Sequence, residues 1–127
     1  MDKKILATAA FLGMTGILLG AFGAHGLKKI VEPDAVASFE TGVRYQIYHA
    51  LFLLFVGTTT FLSESAKKQI FTLVVIGVAF FSVSIYFLAL RKYISFDIKK
   101  FGIITPIGGL LLIGAWGILF LNIIKRK

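Results

Sequence analysis

The stretch "FETGVRYQIYHALFLLF", Phe39–Phe55, opens like the wall of a soluble active site and closes like a lipid-facing helix. Glu40, Arg44, Tyr45, Gln46, Tyr48 and His49 fall within ten residues, and the chain then turns almost wholly apolar. On a helix advancing about 100° per residue, Glu40, Arg44 and Tyr48 share one stripe, while Tyr45 and His49 form a neighbouring pair. Glu preceding Arg is the favourable order for a helical ion pair. Such a pair would lower the cost of carrying Arg44 into an apolar region, where an unpaired central Arg costs ~3 kcal/mol or more. Gln46 points elsewhere and is placed to bond a neighbouring helix.

Outward from this stretch, the chain shows why its solvent is lipid. Of its 127 residues 57% are hydrophobic and 16% charged, and its mean hydropathy is +0.89. A soluble domain this small cannot hide so much apolar surface. Four runs, Ile5–Ala24, Val43–Leu62, Ile70–Leu90 and Phe101–Ile124, are long enough to cross a hydrocarbon core of ~30 Å. The alternating segments of an outer-membrane barrel are absent. The expected fold is all-α, a polytopic membrane protein with four transmembrane helices in an antiparallel bundle. It forms one integral membrane domain over 1–127, with spans at about 5–24, 43–62, 70–90 and 101–124. The N-terminal run is longer than a signal peptide's apolar region, which predicts a retained first helix.

The connectors refine this picture. Glu32-Pro33-Asp34 is a turn signal, and Asp34 is placed to cap a short helix through Phe39. Val36 and Phe39 on one face predict that this helix lies along the membrane surface between helices one and two. "SESAKKQ", Ser63–Gln69, is read as the turn that folds helices two and three into a hairpin. Thr105-Pro106 reads as an N-cap and first helical residue, with Phe101–Ile104 an interfacial lead-in; a proline kink in a longer helix is the alternative. Gly16, Gly20 and Ala24 on helix one, and Gly108 and Gly109 on helix four, are expected to let helices pack closely.

The net charge of +8 comes from fourteen Lys and Arg grouped at the ends of the apolar runs. That distribution suits anchors for anionic head groups and excludes a nucleic-acid groove. With no cysteine there are no disulfides, thiolate chemistry or cysteine metal sites. The spacing of His25, His49 and Glu40 matches no ligand motif, and no metal, haem or other cofactor is expected. The candidate polar site is His25, Glu40, Arg44, Tyr45, Gln46, Tyr48 and His49, a cap at the end opposite the termini. It fits an interfacial structural lock better than a binding or catalytic pocket. Lys and Arg number seven on each side of the membrane. The dense basic tail, Lys125–Lys127, therefore tips the expectation toward cytoplasmic termini.

Four motifs in order, "GAFGAHGL" (Gly20–Leu27), "FETGVRYQIYHA" (Phe39–Ala50), "FSVSIY" (Phe81–Tyr86) and "GIITPIGGLLLIGAW" (Gly102–Trp116), resemble the YwdK/YgdD-type family of small membrane proteins, domain of unknown function 423. That family is also similar to eukaryotic transmembrane protein 256. The resemblance covers nearly the whole chain and implies a four-span protein, in bacteria at the plasma membrane, without an assigned activity. Val83 stands where the family motif implies glycine.

Three functions follow as expectations. The first is a non-enzymatic protein whose polar cap binds membrane lipids or a partner and supports envelope integrity. The second is a small transporter or channel subunit, although no acidic group lies at mid-membrane. The third is a membrane-embedded enzyme using Tyr45, Tyr48 and His49. Self-association as a homo-oligomer is compatible with the lipid-facing surface of four short helices, and no small-molecule ligand is indicated.

Overall fold

The computed structural model describes the backbone of residues 2–94 and 99–125 and the side chains of 2–94 and 102–125. Arg126, Lys127 and the side chains of Lys99, Lys100 and Phe101 lie outside the described residues. The described chain is helical throughout its ordered elements, α1 (Asp2–Ala24), α2 (Pro33–Thr58), α3 (Glu64–Val78), α4 (Ser84–Ala89) and α5 (Lys99–Lys125). One wide π-helical turn, Ala79–Val83, joins α3 to α4 as a continuous rod, and short 3-10 turns sit at Leu27–Lys29 and Arg91–Tyr93.

Neighbouring rods run antiparallel. Gly57, Gly20 and Gly23 of the first hairpin face Leu6, Val43 and Phe39 respectively, so the end of α2 lies beside the start of α1. In the second, Gly114 faces Leu73 and Gly77 faces Leu112. α2 bridges the two hairpins, touching α1 on one flank and α3 and α4 on the other. One apolar core joins Ile5, Leu53, Val56, Ile70, Val74 and Leu112; a second, toward the other end, joins Leu27, Val36, Phe39 and Tyr86.

Among the described residues, three helices are long and apolar enough to cross a membrane, over Asp2–Lys29, Glu64–Ala89 and Gly102–Lys125. α2 falls short of that apolarity, yet twelve of its 26 residues are buried. The two facts have one cause: α2 is the helix the others shield, so it needs lipid-compatible side chains over less of its surface.

Several expected boundaries change. Apart from the 3-10 turn Leu27–Lys29, no separate helix lies between α1 and α2: α2 begins at Pro33, whose missing N–H costs nothing in a first turn. Val36 and Phe39 face the core rather than the membrane surface. Glu32, not Asp34, precedes the helix, and Asp34 Oδ1 accepts from the Ala35 N–H at 3.0 Å. Ser63 is a cap rather than the start of a turn, its Oγ accepting from the Ala66 N–H at 3.1 Å, and Glu64–Gln69 are already α3. α5 starts at Lys99 and runs through Pro106, so Phe101–Ile104 are helix and the kinked alternative is the closer one. The carbonyl of Gly102 thereby loses the N–H that a non-proline residue would supply four positions later.

Glycine packing also moves. Gly16 and Gly20 meet Ile47 and Val43, but Ala24 is exposed, and Gly23 takes its place against Phe39, where an added Cβ would stand 3.1 Å from the ring. The tightest approach is at Gly108, where a Cβ would overlap the backbone of Phe80 and Phe81 in the wide turn. Gly109 faces the Phe81 ring with ordinary spacing. Val83 points outward, 40% exposed, so the close contact that its side chain would have obstructed is made one residue cluster earlier, by Gly108.

Candidate functional site

Because α2 starts at Pro33, the polar residues of its sequence sit deeper than a span beginning at Val43 would place them. Gln46 is the fourteenth of α2's 26 residues, and it meets α1 at Leu12 and Thr15, near the middle of that helix. Its amide is fully used. Nε2 donates to the Leu12 carbonyl at 2.9 Å and to Thr15 Oγ1 at 2.8 Å, and Oε1 accepts from the Tyr86 hydroxyl at 2.7 Å. One side chain therefore ties α1, α2 and α4 together. Thr15 accepts without strain because its own proton goes to the Phe11 carbonyl at 2.8 Å.

His49, one turn further along, is also buried. The Trp116 Nε1–H donates to His49 Nε2 at 3.1 Å, so that nitrogen carries its lone pair. Nδ1, 2.7 Å from the Tyr45 carbonyl, is then the protonated nitrogen. Both ring nitrogens are spent in this neutral tautomer, and an added proton on Nε2 would face the indole N–H. Phe52 closes the site edge-on against Trp116, with ring centroids 4.0 Å apart.

Two serines complete the interior ladder. Ser82 Oγ donates to the Gly42 carbonyl at 2.7 Å, linking the wide turn to α2. Ser84 Oγ donates to the Phe80 carbonyl at 2.5 Å and is hydrogen-bonded to Thr105 Oγ1 at 2.5 Å. The wide turn disturbs the regular backbone ladder, and the hydroxyls restore its polar pairing. Among the described residues, no buried side-chain nitrogen or oxygen lacks a partner.

The seven candidate residues thus divide. Gln46 and His49 are interior, and Tyr45, though exposed along one edge, packs against Phe81 with ring centroids 4.9 Å apart. His25, Glu40, Arg44 and Tyr48 are exposed. His25 bonds the Ala21 carbonyl at 3.1 Å, away from His49 in its aromatic site. The expected Glu40–Arg44 ion pair is absent. Arg44 Nη2 donates to Thr41 Oγ1 at 3.3 Å instead, and the ion pair found among the described residues is Lys67–Asp2, at 3.1 Å. Arg44 lies level with the last turns of α1 and reaches back along its own helix, as long cationic side chains near a boundary do. Among the described residues no group of three acidic or histidine side chains converges as metal ligands would.

Several residues that hold the interior together lie outside the seven candidates. Trp116 is a hydrogen-bond donor to His49, and its place well inside α5, away from both ends, was the available signal. Thr15 gave a similar one, as the only hydroxyl in the central part of α1. Lys67, grouped with exposed anchors, is buried, and nothing in its neighbourhood of sequence announced the distant Asp2.

At the end opposite the chain termini, Tyr93 donates to the Ile30 carbonyl at 2.9 Å, clasping the two connectors together. Two shallow grooves flank α2 there. One runs between α2 and α4, with Ser38, Thr41 and Arg91 among its lining; the other is bordered by Lys28, Pro33 and Glu40.

No solved structure matches the chain. A UPF0382 membrane protein, SH2409, of Staphylococcus haemolyticus is 37% identical over 123 residues, covering 97% of each chain. A UPF0382 membrane protein of Haemophilus influenzae is 34% identical, covering 100% of this chain and 98% of its own. The UPF0382 inner membrane protein YgdD of Escherichia coli K12 is 29% identical, covering 99% and 93%. A family model described as "Protein of unknown function (DUF423)" matches residues 19–109, which hold Gln46, His49, Ser82 and Tyr86. With that match and these full-length relatives, the chain belongs to the DUF423 family of membrane proteins.

Proposed function

We propose that the protein crosses the bacterial plasma membrane four times and works without catalysis, holding lipid head groups or a partner at the end remote from its termini and so supporting the envelope. The observation that carries this reading is the division of its polar groups. Those inside are spent on one another, which makes them scaffolding, whereas His25, Glu40, Arg44 and Tyr48 remain at the surface of one end. α2 supplies the fourth crossing. Its 26 residues extend about 39 Å, and it lies antiparallel between helices that are apolar enough to span alone.

The basic tail favours cytoplasmic termini. This support stands without the Arg44 pairing, since Arg44 has no carboxylate partner among the described residues. Single cysteines at the exposed Ser38 and Ser65, in a chain with no native cysteine, read the sidedness directly. An impermeant thiol reagent applied outside intact cells should label Ser38→Cys and spare Ser65→Cys. The reverse pattern would turn the polar end to the cytoplasm.

The function itself is tested by purifying the wild-type protein in mild detergent and measuring retained phospholipid by mass spectrometry. Retention above that of an unrelated helical membrane protein of similar size is expected. Equal retention would remove the lipid reading.

A further inference from the structure

The two grooves beside α2 differ in charge. The groove holding Lys28 also holds Glu40, so its cation has an acid at hand. The groove between α2 and α4, about 300 Å³, has no acid among the described residues that line it. Its rim carries Arg91, Ser38 and Thr41, and its walls include Ile85, Leu88 and Ala89. A second cation joins it through Thr41, whose Oγ1 accepts from Arg44. Arg91 is exposed and donates to the Leu88 carbonyl at 3.2 Å, which leaves most of its donors without a protein acceptor among the described residues.

We propose that this groove seats the phosphate of an anionic phospholipid between Arg91 and Arg44, with Ser38 as the hydroxyl donor, Thr41 holding Arg44 in place while its own proton goes to the Ala37 carbonyl, and an acyl chain along Ile85 and Leu88. The chemistry selects this occupant in two steps. Guanidinium groups bind phosphate oxygens in pairs of parallel hydrogen bonds, and two of them beside the Ser38 hydroxyl match a phosphodiester better than a carboxylate or a neutral head group. The apolar wall belongs to α4, the last part of an apolar rod that begins at Glu64, so a ligand continuing down it must carry a hydrocarbon tail. A free phosphate would leave that wall uncovered.

This proposal rests on the lipid-binding reading above and sharpens it to one site. Native mass spectrometry of the full chain, loaded with phosphatidylglycerol or phosphatidylcholine, tests it. The wild type should prefer phosphatidylglycerol, and Arg91→Gln and Arg44→Gln should each lower that binding about tenfold, the worth of a charge-assisted hydrogen-bonded pair. Arg91→Lys, which keeps the charge but loses the paired geometry, should fall between. Lys28→Gln, in the other groove, should bind as the wild type does, and excess inorganic phosphate should leave the lipid in place. Because Arg91 and Arg44 are exposed, the thermal midpoint should not move, which separates lost binding from lost fold. The groove is overturned if Arg91→Gln and Arg44→Gln bind like the wild type, if Lys28→Gln falls as far as they do, or if free phosphate displaces the lipid. A wild type that retains no lipid would defeat the broader reading as well; wild-type retention indifferent to both arginines defeats the groove alone.

Discussion

α2 and α5 are of nearly equal length, 26 and 27 residues, and they solve opposite problems. α5 shows most of its apolar side chains to the surroundings: in its most apolar stretch only 17% of residues are buried. α2 carries a glutamine, a histidine and an arginine, and buries twelve residues. In water the better-buried helix would be the more apolar one. Here the order is inverted, because lipid is as apolar as leucine and gives no reward for hiding leucine from it. Contact between helices must then come from close packing and from polar groups that have nowhere else to pair. α5 contributes chiefly the first, through Gly108; α2 contributes the second, through Gln46 and His49.

Substitutions can break this contrast, beginning with its packing side. Gly108→Ala forces a methyl into the backbone of Phe80 and Phe81, and neither can withdraw as a flexible side chain could. A loss of about 3 kcal/mol is expected, at the upper end for overpacking. Gly117→Ala, which meets nothing within 4 Å, should stay within about 0.5 kcal/mol of wild type. Reversible unfolding in mixed micelles compares them, and similar losses for both would mean that glycine on α5 serves backbone flexibility rather than approach.

On the polar side, Gln46→Leu removes three hydrogen bonds, including the one to the Tyr86 hydroxyl, for an expected cost of about 2 kcal/mol. Tyr86→Phe should cost about 1 kcal/mol, and the double variant less than the sum, because the two share one bond. Strict additivity would show that the amide and the phenol do not act as a unit. Trp116→Phe keeps the ring against Phe52 but withdraws the N–H from His49; about 1 kcal/mol is expected from the same unfolding measurement. The smallest effect belongs to Glu40→Gln. With no ion pair to lose, the change should stay within about 0.5 kcal/mol, whereas a loss several times larger would restore the Glu40–Arg44 bridge.

Much of the architecture was legible because the apolar runs are long and the turns between them short. The identity of the helical segments, the hairpin of α3 with its predecessor and the concentration of polar residues in α2 all follow from hydropathy and spacing. Boundaries were less legible where one residue type has two uses. Pro33 serves equally as a turn residue and as a first helical residue, Ser63 as turn or cap, and Val36 and Phe39 as a membrane-lying or a core-facing pair. Choosing the wrong use for Pro33 shortened α2 by ten residues and raised Gln46 and His49 toward the membrane boundary. Their partners, Leu12, Thr15, Tyr86 and Trp116, lie more than thirty positions away in the chain, and no local period encodes such a pairing. Contacts at the surface were no easier to read than the internal ones: Glu40 and Arg44 have ideal spacing, yet Thr41 takes the guanidinium.

The Gln46 amide also orders events in the making of the protein. Its two N–H groups find acceptors on α1, the helix synthesised just before α2, so half of the amide is satisfied as soon as the first hairpin closes. Its carbonyl oxygen waits for Tyr86, forty residues later. Until the second hairpin arrives, that oxygen lacks the partner it has in the folded chain, and the first hairpin is an unfinished unit. The same bond that completes Gln46 therefore couples the second hairpin to the first.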